Sequence, residues 1–162
     1  MNHYSHILLA ADLSGENPKT SQRAKQLAAC FDAKLSLVHV VEYLPLDYGG
    51  DQIYPMDLDL EDKLVSRARE ELERLGMELG VPPSDQHVVI GAAKVELLHL
   101  AEEQGVDLIV LGSPGRRGLA LLQGSPANAV LHRAHCDVLA VRVEDRRGRP
   151  DLATGSGTAW IE

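Results

Sequence analysis

The residues best suited to chemistry lie in one stretch, Gly112-Ser113-Pro114-Gly115, followed by Gly118 and Gly124-Ser125. An apolar run, Leu108-Ile109-Val110-Leu111, leads straight into them, and a helix-start signal, Ser125-Pro126, closes the stretch. A strand that ends in a glycine-rich loop and feeds a helix turns several backbone N–H groups toward one point, which suits a phosphate. Glycines there let the backbone approach phosphate oxygens with no Cβ in the way. Ser125 either caps its helix or donates to a phosphate, and Arg116 and Arg117 can supply positive charge. The chain has neither the G-x-x-x-x-G-K-[ST] run of a P-loop nor the G-x-S-x-G of a nucleophile elbow. A plainer reading of the same residues is a turn, an N-cap and two solvated arginines.

A second loop, Asp12-Leu13-Ser14-Gly15, follows the apolar run Ile7-Leu8-Leu9-Ala10-Ala11. Open parallel sheets bind ligands at the carboxyl ends of their strands, where the strand order reverses. If these two strands are neighbours at such a point, Asp12 and Gly112 flank one cleft. A carboxylate is poorly suited to touching phosphate, so Asp12 fits the ribose or base end; otherwise it caps a turn with Ser14. His132 and His135 form an H-x-x-H pair without identifiable further ligands. His39, inside an apolar run, reads as a satisfied core histidine.

The elements that would position these groups alternate along the chain. Strands are expected at Ile7–Ala11, Leu35–Val41, His87–Ile90, Asp107–Leu111 and Val138–Val143, where short continuous apolar runs suit burial on both faces. Asn17-Pro18 predicts an N-cap followed by proline at the first helical position, with Ala24, Leu27, Ala28 and Phe31 at helical spacing. Residues 42–56 form a longer loop bearing Tyr43, Tyr48 and Tyr54. Negative charge from Asp57 to Asp62 suits the start of the next helix, whose apolar stripe runs through Leu60, Leu64, Ala68, Leu72, Leu75 and Leu79 until Gly80 and Pro82-Pro83 stop it. Val95, Leu98 and Ala101 mark a third helix ending near Gly105, and Pro126 to Ala134 a fourth, with Val130 and Leu131 facing in. Strands alternating with helices predict an α/β fold, an open parallel sheet covered on both faces, flavodoxin-like or Rossmann-like.

Bulk properties narrow the function. The 162 residues suit one domain, taken as residues 1–143, with 144–162 as a flexible tail. A net charge of −8 argues against a nucleic-acid binder, which needs a basic face. The two cysteines, Cys30 and Cys136, are neither a CxxC pair nor a disulfide framework, which fits a reduced cytoplasmic compartment. The N-terminus lacks the pattern of a signal peptide, and no apolar run approaches the roughly 20 residues of a membrane span.

Several of these segments together resemble the universal stress proteins. His6-Ile7-Leu8-Leu9-Ala10-Ala11-Asp12-Leu13-Ser14 resembles their opening strand and Leu37-Val38-His39-Val40-Val41 their second. Gly112 to Leu119 with Gly124-Ser125 resembles their phosphate loop, and Cys136 to Arg142 their final strand. The resemblance runs from about residue 5 to 143. It implies a five-stranded parallel sheet of order 3-2-1-4-5, a homodimer paired through the last strand at Val138–Val143, and a site for ATP or another adenine nucleotide with Mg²⁺. By resemblance Gly112, Gly115, Arg116, Gly124 and Ser125 meet the phosphates, Asp12 meets adenine or ribose, Val40 or Val41 lines the base pocket, and Gly91 borders the cleft. The family's ATP-binding pattern is G-x-x-G, nine residues, then G-[ST]; here eight residues, Arg116 to Gln123, separate Gly115 from Gly124. Pro126 departs from it too, removing an N–H where phosphate donors are wanted. The family also has members that bind no nucleotide and serve as dimeric interaction modules. No convincing general base stands beside the loop, so a sensor or regulator is the expectation, with weak ATP hydrolysis left open.

Overall fold

Burial runs without alternation through His6–Leu9, Ser36–Val38 and Leu108–Leu111, as a sheet covered on both faces requires. The computed structural model describes residues 4–13, 18–42, 58–114, 130 and 132–143. They form β1 (His6–Ala10), α1 (Lys19–Phe31), β2 (Lys34–Val41), α2 (Leu58–Leu79), a 3-10 turn (Pro83–Asp85), β3 (Gln86–Ile90), α3 (Ala93–Glu103), β4 (Leu108–Pro114) and β5 (Asp137–Val143). All neighbouring strands pair in parallel, in the order β3-β2-β1-β4-β5. Ile7, Leu9, Leu37, Leu108, Val110 and Val141 meet Ala24 and Ala28 of α1 and Leu72 of α2 on one face. Leu8, Val38, Ile109 and Leu111 meet Leu97, Leu100 and Ala101 of α3, with Val130, on the other. Val130, His132 and Arg133 are helical, and the Ala134 N–H donates to the Val130 carbonyl at 2.9 Å. The loop from 43 to 56, the Asn17 cap, Ser14, Pro126, Leu131's side chain and the tail from 144 lie outside the described residues.

Two apolar stripes differ from the sequence expectation. Leu60 and Leu64 are 44% and 39% exposed, whereas Ala68 and Leu72 are buried. The cause is length: the 22 residues of α2 span about 33 Å, while the five of β3 span about 17 Å. The first turns of α2 therefore have no sheet beneath them. On α3, Val95 is 49% exposed, and the buried face is Leu97, Leu100 and Ala101, with Leu98 at its border. The first helix begins at Lys19, one residue later than expected; Pro18 is its boundary residue, and the Pro18 carbonyl accepts the Gln22 N–H and the Ser21 hydroxyl, both at 2.9 Å.

Helices α1, α2 and α3 end alike. Residues with positive φ, Asp32 (51°), Gly80 (76°) and Gly105 (61°), reverse the chain after α1, α2 and α3. The next N–H then reaches five residues back: Ala33 to the Ala28 carbonyl, Val81 to Gly76, and Val106 to Ala101, all within 2.8–2.9 Å. Two of the three positions are glycine, as this conformation favours; Asp32 carries a Cβ against its own carbonyl. Asp32→Gly is expected to raise the unfolding free energy by about 0.5 kcal/mol, visible as a higher urea midpoint at unchanged slope.

A bonded cluster closes the amino-terminal edge of the sheet. The Asp107 carboxylate accepts the Ser5 and His6 N–H groups at 2.6 and 2.9 Å, and the Asp107 N–H returns to the His6 carbonyl at 2.9 Å. His6 is buried; its Nδ1 bonds the Gln104 carbonyl at 3.1 Å, so Nδ1 is the donor, and Nε2 pairs with the buried Ser36 hydroxyl at 2.7 Å. The Tyr4 hydroxyl donates to Asp137 at 2.8 Å, its ring edge-on to Phe31. Lys34 pairs with Asp85 at 2.8 Å. Beside that pair, burial holds the His87 imidazole below the usual histidine range, the Asp85 carboxylate opposing this and Lys34 and His6 adding to it. A base whose folded pKa lies below its unfolded value binds fewer protons when folded. Stability present in full above about pH 6.5 is therefore lost as pH falls from there through the folded value. His87→Gln should flatten that limb when urea midpoints at about pH 5.5 and about pH 7.5 are compared.

Candidate functional site

The strand order reverses between β1 and β4, and open parallel sheets take their ligands at the carboxyl ends of the strands at such a point. Leu9 pairs with Leu37 of β2 and with Val110 of β4. Carried beyond the last pairs, the same register sets Asp12 level with Val40 on one side and Ser113 on the other, and Gly112 level with Ala11. Asp12 is exposed and Ala11 buried, so the chain leaves the sheet and turns to solvent at this step. Val40 packs with the α3-side core, and Val41, next in the strand, is buried and projects to the opposite face. At most one of the two valines therefore lines any one face of the cleft.

Gly112 stands where the chain is crowded. A Cβ there would lie 3.2 Å from Val143 Cγ2 and 3.3 Å from Thr20 Oγ1. Its lack of a side chain lets the first turn of α1 come close to the end of β4. Thr20, which no sequence pattern singles out, thereby stands over the glycine. Across the sheet, Gly91 has φ 151° and donates to the Val41 carbonyl at 3.2 Å; a Cβ at Gly91 would lie 2.6 Å from Glu96 Oε1. Ala92, the boundary residue of α3, has no capping side chain, and Glu42 Oε1 from the end of β2 accepts the Ala93 N–H at 2.9 Å instead. The His39 Nδ1–H donates to the Ala11 carbonyl at 2.9 Å, so this histidine is satisfied, though only half-buried.

Asp12, Val40, Val41 and Gly112 are thus gathered at the carboxyl ends of three adjacent strands. Gly115, Arg116, Gly124 and Ser125 lie outside the described residues. His132 and His135 are exposed, and among the described residues no group of three or more metal-ligating side chains converges. Cys30 is exposed and Cys136 half-buried, both as free thiols; burial pushes the Cys136 thiol up, with Asp137 and Asp107 adding to the rise. No described helix is long and apolar enough to cross a membrane.

Residues 3–142, almost the whole of this sheet and its helices, match the family model of the universal stress proteins. The chain belongs to the universal stress protein family. Universal stress protein A homolog 1 of Coxiella burnetii is 44% identical over 143 residues, spanning 88% of this chain and 99% of its own length. Homolog 2 of the same organism is 42% identical over 146 residues, spanning 89% and 99%. Among solved structures, a universal stress protein crystallised with cAMP is 28% identical, covering 86% of this chain and 98% of its own, with a TM-score of 0.59. The strand order expected from the resemblance is the order found. In this family member the sheet runs 3-2-1-4-5, with α1 and α2 on one face and α3 on the other.

Proposed function

We propose that this universal stress protein is a cytoplasmic, dimeric stress-response regulator that holds an adenine nucleotide, ATP with Mg²⁺, at the carboxyl ends of β1, β2 and β4. One observation carries the reading: the reversal of strand order brings Asp12 and Gly112 to one crevice. The described residues fit the base and ribose end, with a carboxylate to accept from ribose or adenine donors, a half-buried valine and a bare glycine backbone. The phosphate end rests on sequence, through Gly115, Arg116, Gly124 and Ser125. A relative 28% identical, crystallised with cAMP, supports an adenine nucleotide as ligand. The dimer is proposed through β5, an edge strand among the described residues, where a second copy could add its own strand.

Calorimetric titration with ATP in the presence of Mg²⁺ tests the site, beside a Gly115→Asp variant. Binding by the wild type that the aspartate abolishes, by placing charge and bulk against the phosphates, is the expected result. No binding at millimolar ATP would sink the reading. A second reading, a nucleotide-free dimeric module, is favoured by the eight-residue spacing between Gly115 and Gly124 and by Pro126. Adding one residue between Arg116 and Gln123 separates the two, since restored or tightened binding would assign the difference to loop length.

A further inference from the structure

The geometry points to His39 as a positioning residue of the base and ribose end of this cleft, acting through the Ala11–Asp12 peptide; the inference rests on the adenine-nucleotide reading. The last paired residues of β1 and β2 are Ala10 and Val38. The Ala11 N–H still donates to the Val38 carbonyl at 2.8 Å. The Ala11 carbonyl is then taken by the His39 ring at 2.9 Å, one residue beyond the paired ladder. A carbonyl can only accept, so Nδ1 carries the proton. The Ala11–Asp12 peptide is trans, and in a trans peptide the C=O and the following N–H point in opposite directions. With the Ala11 carbonyl drawn toward β2, the Asp12 N–H is turned toward β4, the side on which the strand order reverses. The same bond fixes the plane from which the Asp12 side chain departs. His39 therefore sets the direction of both groups that Asp12 offers without itself needing to reach the ligand.

Half-burial makes this bond more than a solvated contact. A flexible Ala11–Asp12 peptide would present the carboxylate over a range of directions, and binding would have to order it at the ligand's expense. His39 removes that cost in advance, and it does so through Ala11–Asp12, the segment assigned to the base end.

The test compares the wild type with His39→Leu and His39→Asn in calorimetric titrations with ATP and with inorganic tripolyphosphate, Mg²⁺ present throughout, and with thermal unfolding alongside. Asparagine places an amide N–H near the position of Nδ1; leucine fills the volume without a donor. The expected result is roughly tenfold weaker ATP binding for the leucine variant, near-wild-type binding for the asparagine variant, and unchanged tripolyphosphate binding in both. Should the leucine variant fail to fold, His39→Gln carries the contrast, because its amide extends one bond further, and it should weaken ATP where asparagine does not. Wild-type ATP affinity in the leucine or glutamine variant would overturn the assignment, as would equal losses for ATP and tripolyphosphate. If the wild type itself binds no ATP, the nucleotide reading fails and the role of His39 falls with it.

Discussion

Asp107→Ala is expected to lower the unfolding free energy by about 3 kcal/mol, the largest polar loss among the described residues. One carboxylate oxygen accepts both the Ser5 and His6 N–H groups, and the aspartate's own backbone binds the His6 carbonyl and accepts the Asp137 N–H at 3.1 Å. Alanine would leave two amides without their acceptor where β1 enters the sheet, one of them on the buried His6. Asp107→Asn separates geometry from charge. Both bonds go to the same oxygen, so an amide oxygen can still accept both and loses only the charge assistance, a cost of about 1 kcal/mol. Urea unfolding of the three proteins checks this. Equal losses for alanine and asparagine would show that charge, not the shared acceptor, is what holds the edge.

Ile109→Ala should cost about 4 kcal/mol. Ile109 is fully buried in β4, paired with Leu8 on one side and Val138 on the other, beneath α3. A central strand cannot shift to fill the space without disturbing both neighbours, so the cavity term adds to the lost transfer energy. With total stability of about 5–15 kcal/mol for a domain of this size, such a loss should bring thermal unfolding down by at least 10 °C. Ile109→Val, which removes one methyl group, should cost about 1 kcal/mol and gives the scale. A small loss for alanine would mean that the core on this face is loosely packed.

Strands and sheet class were legible because a parallel sheet covered on both faces demands short continuous apolar runs, and this chain has five. Helical periodicity located the helices but misjudged their buried ends. Period belongs to a helix alone, whereas burial at Leu60 and Leu64 depends on how far the neighbouring strand extends. Val95 failed for a related reason, since three apolar positions did not fix the phase of a helix beginning at Ala93. Gly80 and Gly105 announced helix ends; Asp32 did not, because aspartate enters the left-handed region far less readily than glycine. Glu42 was silent because its partner amide lies 51 residues away. The cleft was legible at Asp12 and Gly112 through the logic of open sheets, but roles for Gly115, Arg116, Gly124 and Ser125 came only through family resemblance.

The bonds of Asp107, His6, Ser36 and Tyr4, together with the three left-handed helix ends, lie at the amino-terminal edge, opposite the crevice. A partial opening at the carboxyl edge that leaves all of them intact would cost a fraction of the global unfolding free energy. The described amino-terminal edge is thus sewn like the spine of a book. Hydrogen exchange should be slowest at the sewn edge, and a bound ligand should slow exchange first at the open one, long before it alters global stability.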